Sequence, residues 1–175
     1  VDWQWDKGVI QPIGKALRRK INEVIDKTSL CDIPIIEKIS FGGELTITEP
    51  EDRANYKGRL FWAERGDLIY SKIRVKQGSV SIVDSEIDRV AVSAEYPVYS
   101  INGNVATGDY LTLVLRSSQF ARLLDGLSHG GSTKTRVHPT RLEQIEIPLP
   151  PLEVQRAIVA HWRQAQEGVE RAKEC

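Results

Sequence analysis

Hydrophobic and polar positions alternate in two different rhythms along this chain, and the change of rhythm is sharpest near its end. In Ile145–Glu146–Ile147 the apolar residues recur every second position, which predicts a short strand. Pro148, Pro150 and Pro151 follow; proline fixes φ and donates no hydrogen bond, so the chain stays extended and the strand stops there. From about Leu152 the spacing becomes helical. Val154, Ile158, Trp162, Ala165, Val169 and Ala172 form one apolar stripe. At 1.5 Å per residue this helix would be about 30 Å long. It is longer than sealing a small domain requires, so it reads as an arm whose stripe lies against another helix.

Earlier segments carry the same two signals. Ile13, Leu17, Ile21 and Val24 recur at helical spacing, and Pro12 suits a first turn, so a helix is expected over 12–27. Residues 31–39 (CDIPIIEKI) read as a strand entry, Phe41-Gly42-Gly43 as a turn, 44–48 (ELTIT) as a strand, and 50–58 as a polar loop. A β region starts at Leu60–Trp62. Gly66-Asp67 turns the chain into a strand through Leu68, Tyr70 and Ile73; Lys76-Gln77-Gly78 makes a tip, and Val80, Ile82 and Val83 return. Residues 90–98 add apolar core. Residues 110–116 and 120–127 read as helices, burying Leu111, Leu115, Phe120, Leu123, Leu124 and Leu127. Trp3 and Trp5, in a lead-in over 1–9, would share one face if extended. The expected fold class is α+β: a twisted mixed or antiparallel sheet with packed helices, followed by a long C-terminal helical arm. The expected division is a lead-in at 1–9, one domain over 10–150 and the helix over 151–175.

Composition narrows the class. The chain has 175 residues, 41% hydrophobic and 27% charged, which is ordinary for a globular domain with its own core. No apolar run approaches a membrane span. Cys31 and Cys175 are too few for a disulfide framework or a zinc site, and a reducing cytoplasm is the expected setting. The start at Val1 and the absence of methionine suggest a fragment of a longer protein.

Formal net charge is zero, which excludes a uniformly basic nucleic-acid coat. Locally the balance differs. Residues 65–80 hold four basic side chains against Asp67, and residues 116–141 hold five against Asp125. The tip would carry Lys72, Arg74 and Lys76 out of the sheet together, where they could contact phosphates or guanine edges. Residues 128–141 (SHGGSTKTRVHPTR) run from glycine to hydroxyl to basic. Ser132, Thr133, Lys134 and Arg136 there suit sugar–phosphate contact, with Tyr56, Lys57 and Arg59 as further DNA candidates. A solvated charged surface is the alternative account of all these residues.

Catalytic signatures do not emerge. Residues 126–135 approach a phosphate-binding loop, but Ser132 stands where the lysine must follow the second glycine. His129, His138 and His161 lack metal-ligand spacing, and no nucleophile elbow occurs. The one Pro-Pro pair is flanked by leucines rather than by the polar and aromatic partners of an adenine methyltransferase motif. No catalytic residue, metal or cofactor is expected.

Three segments in order, 65–84, 128–141 and 148–155 (PLPPLEVQ), resemble the DNA-specificity (S) subunits of type I restriction-modification systems. The resemblance covers roughly residues 60–166. It implies one target-recognition domain with a spacer helix, reading half of a split site in double-stranded DNA without catalysis. It also implies partners: methyltransferase (M) subunits or a fused methyltransferase that adenine methylation requires, a restriction (R) subunit, and a second recognition half, a homodimer being one form. That half would pair through Val154, Ile158, Trp162, Ala165 and Val169. The alternative from another class is a non-catalytic protein-interaction module that assembles through the same helix.

Overall fold

A computed structural model describes residues 9–28, 30–84, 86–126 and 136–174. The lead-in with Trp3 and Trp5, the candidates Ser132, Thr133 and Lys134, and Leu127 lie outside the described residues.

The centre is a four-stranded antiparallel sheet in the order β2 (Leu17–Lys20), β9 (Val98–Ile101), β6 (Leu68–Tyr70), β7 (Val80–Ile82). Both its faces are buried, and the period of two along each strand sorts side chains between them. Leu68, Tyr70 and Tyr99 join one core with α2 (Gly108–Leu115), α3 (Ser118–Gly126) and α4 (Pro139–Glu143). Ile69 and Val98 point the other way, into a second core with β3 (Ile36–Ile39), β5 (Leu60–Glu64) and β8 (Arg89–Ser93). Leu68, Ile69 and Tyr70 are accordingly all fully buried, which is why this strand reads as an uninterrupted apolar run. Each such burial contributes about 1.5–3 kcal/mol. β5 pairs with β8, and β3 with β4 (Leu45–Ile47), both antiparallel; the bridge between Ile35 and Ala91 is parallel. The architecture is α+β, with the expected sheet divided among several antiparallel units.

β1 (Ile10–Pro12) pairs with β10 (Glu146–Pro148), joining the two ends of the domain. The Ile147 alternation is thereby explained: Ile147 is fully buried while Glu146 is exposed. α5 (Leu152–Glu174) leaves immediately afterwards.

The helix expected over 12–27 does not form. That stretch is a 3-10 turn (Ile13–Lys15), then β2, then extended chain bonded to β5 through Val24 N to Leu60 O at 2.8 Å. Ile13, Leu17 and Val24 are buried as expected, but Ile21 is 66% exposed. Gly14 gives the physical reason for part of this. A Cβ there would stand 2.9 Å from the Glu143 carbonyl oxygen, so the backbone is held against α4. Residues 50–58 are not wholly loop, since α1 (Pro50–Arg53) makes one turn there. Leu123 is 38% exposed instead of buried, on the outer side of α3. The strand expected to reach Ile73 ends at Tyr70.

Candidate nucleic-acid interface

Asp67 organises the entry to the basic hairpin. Gly66 adopts φ +83°, which its lack of a Cβ permits. Asp67 is then buried, and its Oδ2 accepts from Lys20 Nζ at 2.6 Å and from Glu64 N at 2.8 Å. Glu64 also meets Lys20 at 2.9 Å. Burial lowers the Lys20 ammonium, but the hydrogen bonds to Asp67 and Glu64 outweigh it and raise it above 10.5. β6 and β7 register as Leu68 with Ile82 and Tyr70 with Val80. A 3-10 turn (Val75–Gln77) joins them, ending at Gly78 with φ +98°.

The basic candidates do not leave this hairpin together. Lys76 turns to α3 and pairs with Asp125. Lys72 is half-buried, and its carbonyl accepts from Val137 N at 2.8 Å. Val137 is held from its other side as well, its own carbonyl accepting from the Tyr70 hydroxyl at 2.8 Å. This clamp brings Arg136 beside the hairpin, where it pairs with Glu95. Arg74 is exposed and makes no ion pair among the described residues. Arg59 is held by Glu23 through two bonds of 2.9 and 2.8 Å, and that pairing holds the Glu23 carboxyl below its ordinary value. Lys57 is exposed and Tyr56 half-buried.

A cleft of about 500 Å³ opens beside Arg74. Its walls include Lys38, Phe41, Ile73, Glu95 and Tyr96. Burial raises the Tyr96 hydroxyl above 10; Arg74 opposes the rise, while Glu95, Glu37 and Tyr56 add to it. Tyr56 is therefore within electrostatic reach of the same cleft. Sequence reading missed Phe41 and Ile73, which are 54% and 41% exposed. The turn Phe41-Gly42-Gly43 was visible, but its aromatic residue gave no sign of facing solvent. Three buried side-chain atoms lack hydrogen-bond partners among the described residues: Glu95 Oε2, and Nε and Nη1 of Arg19, whose guanidinium lies 5.6 Å from the Tyr99 ring centre.

α5 is tied to the domain by its first two turns. Gln155 is fully buried; its Nε2 donates to Val105 O and Pro150 O, each at 2.8 Å, and its Oε1 accepts from Thr107 N at 3.1 Å. Val159 is buried and Ile158 packs on the helical core. Arg163 then meets Asp109 at 2.8 Å. The docking face is thus Gln155–Val159, rotated from the expected stripe. Of that stripe, Ile158 packs on the domain. Val154, Trp162 and Val169 are 42%, 46% and 51% exposed, and Ala165 is exposed.

A model of the type I restriction modification DNA specificity domain matches residues 16–165. The chain belongs to that family. The matched span runs from the start of the central sheet into the arm, so it includes the basic hairpin, the clamp at Val137 and the Gln155 anchor. The specificity subunit of the type I restriction enzyme HindI, from Haemophilus influenzae, is 26% identical over 97 residues, which are 55% of this chain and 21% of that protein. A crystal structure of the HsdS subunit from Thermoanaerobacter tengcongensis superposes with a TM-score of 0.75 at 19% identity, covering 99% of this chain and 46% of that one. The S subunit of a type I restriction-modification system from M. genitalium gives 0.56 at 13% identity, covering 99% and 42%. At these identities the structural likeness concerns the fold. The chain spans about a fifth of the HindI subunit and under half of each solved chain.

Among the described residues, no group of three or more His, Cys, Asp or Glu could hold a metal ion, and no helix is long and apolar enough to cross a membrane.

Proposed function

We propose that this chain is a non-catalytic reader of double-stranded DNA, recognising one half of the target of a type I restriction-modification enzyme. Residues 10–150 act as the target-recognition domain and α5 as the spacer. The observation that carries this reading is the family match over residues 16–165, joined to a surface where Arg74, Lys72 and Lys38 have no acidic partner among the described residues. Ser132, Thr133 and Lys134, which lie outside the described residues, remain proposed DNA contacts because their hydroxyl and cationic groups suit sugar–phosphate oxygens.

The chain would direct adenine methylation and restriction carried out by methyltransferase and restriction subunits, or by a fused methyltransferase. The exposed face of Val154, Trp162, Ala165 and Val169 would pair with the helix of a second recognition half. That same face supports a second reading, a protein-interaction module whose basic side chains touch no nucleic acid.

Fluorescence anisotropy with a random duplex pool across a salt series separates the two. A reader making three or four phosphate contacts gives a log–log slope of about −3. Absence of binding at the lowest salt, with a methyltransferase subunit also present, would favour the interaction module.

A further inference from the structure

The tip of the β3–β4 hairpin is unusual for a surface turn. It presents a phenylalanine to solvent, yet its backbone is held from several sides. Within the turn, Ser40 N donates to Glu44 O at 2.9 Å, and Glu44 N to Ser40 Oγ at 2.9 Å. From outside, Ser79 Oγ donates to Ile39 O and Ser81 Oγ to Gly43 O, each at 2.7 Å. Gly78 closes the clamp: a Cβ there would meet the Phe41 carbonyl oxygen at 2.7 Å. Two serine hydroxyls and the close backbone approach at Gly78 therefore hold the hairpin tip against the β6–β7 hairpin. The β6–β7 connection adds a second exposed apolar side chain, Ile73, with Arg74 next to it in sequence. All three line the same cleft.

We propose that these two tips together read base edges in the DNA major groove. Arg74 donates to a guanine, and Phe41 with Ile73 meets the C5 methyl of a neighbouring thymine. The inference rests on the DNA-reading function proposed above, and it joins one of the basic candidates, Arg74, to two apolar side chains outside them.

Three features point to bases instead of phosphates. Phosphate contact calls for cations and hydroxyl or amide donors, whereas two of these three side chains are apolar. The exposed carboxylate of Glu44 at the same tip would repel a phosphate, but a carboxylate suits the amino group of cytosine. Arg74 keeps its guanidinium free of any ion pair among the described residues, as bidentate recognition of guanine requires. A two-stranded hairpin is also of a width that the major groove admits. Lys38 lines the same cleft, and Lys72 stands two residues before Arg74 in the β6–β7 connection.

The test is selection from a random duplex pool with the whole chain, run in parallel for Arg74→Lys, Phe41→Ala and Ile73→Ala. Arg74→Lys keeps the charge but cannot form the two-pronged contact. It should keep the salt slope and lose discrimination for guanine at one position, by about 5- to 150-fold. Phe41→Ala should flatten preference for thymine at a nearby position. Replacing that thymine by uracil should weaken the unmodified chain about fourfold, the worth of one methyl, and leave Phe41→Ala unaffected. All three side chains are exposed, so equal melting temperatures verify folding. Enrichment of the same motif by all four proteins, with undiminished preference, would overturn the assignment while leaving the DNA reader intact. Failure of the unmodified chain to bind any duplex at the lowest salt, with a methyltransferase subunit also present, would remove the proposed function and this inference with it.

Discussion

Gln155 joins the arm to the domain, and replacing it tests whether that joint is held by hydrogen bonding. Its amide satisfies three backbone groups: the carbonyls of Val105 and Pro150 and the N–H of Thr107. Gln155 is fully buried, so water cannot replace those bonds in the folded protein. Gln155→Ala removes three hydrogen bonds, each worth about 1 kcal/mol net, and about one buried methylene. The expected loss is about 3–4 kcal/mol, a large share of the 5–15 kcal/mol typical of a domain. Gln155→Glu is the sharper variant because it keeps the shape. It places a carboxylate oxygen where a donor faced two carbonyls, and it buries a charge. Near neutral pH it should cost at least as much as the alanine. Burial and the two carbonyls raise the new carboxyl above its ordinary value, so the folded state favours its proton. The destabilisation should therefore shrink as pH falls, because the protonated acid can again donate to one carbonyl. Urea denaturation followed by circular dichroism gives the midpoint and slope at each pH. A Gln155→Glu protein within about 0.5 kcal/mol of the parent near neutral pH would refute the reasoning. The arm would then be held by the apolar contacts of Ile158 and Val159 and the Arg163–Asp109 pair.

Two further predictions concern stability. Burial keeps the hydroxyls of Tyr70, Tyr99 and Tyr110 above their ordinary value of 10, Tyr110 at about 12, with the bond to Glu143 adding to the effect at Tyr99. The folded chain thus holds protons that the unfolded chain releases, so the stability they contribute is complete below about pH 10 and lost as pH rises towards 12; urea midpoints that fail to drop between about pH 8 and pH 11 would contradict this. Gly168 lies mid-helix in α5 with open space where a Cβ would stand, whereas Gly66 has φ +83°. Gly168→Ala should stabilise by about 0.5–1 kcal/mol and Gly66→Ala destabilise by about 1 kcal/mol, opposite signs read in one set of thermal melts.

Much of the second half was legible because its signals are local. The alternation at Ile145–Ile147, the proline stop and the helical spacing after Leu152 each arise within a few residues, and β10 and α5 form there. α2 and α3 fall where the leucine periodicity put them. The first third was misread because burial there is set by distant partners. Ile13 and Leu17 reach the same core from different elements, one a 3-10 turn against α4 and one a strand paired with β9, so their four-residue interval reflects no helix face. Gly14 was the available warning, since glycine inside a helix costs about 1 kcal/mol relative to alanine. The arm was found, but its docking face was not. Gln155 is polar, and no hydrophobic count nominates it, although it is the residue most buried in the helix. Its motif position was visible; its three backbone partners, two of them about fifty residues away, were not.

The basic candidates show the same limit in electrostatic form. Charge counted along a sequence treats every arginine and lysine as available. In the fold, Arg59 has Glu23, Lys76 has Asp125 and Arg136 has Glu95, partners 36, 49 and 41 residues apart. The distinction matters for binding because the electrostatic gain on duplex DNA comes from releasing the ions condensed on phosphates. A cation already neutralised by a carboxylate must first give up that partner, and the freed carboxylate then faces the DNA. Arg136 can contribute fully only if Glu95 finds another donor, whereas Arg74, Lys72 and Lys38 need no such exchange among the described residues. On the proposed reading, the recognition surface is therefore narrower than the basic segments suggest. That reading centres it on the cleft lined by Arg74, Lys38, Phe41 and Ile73.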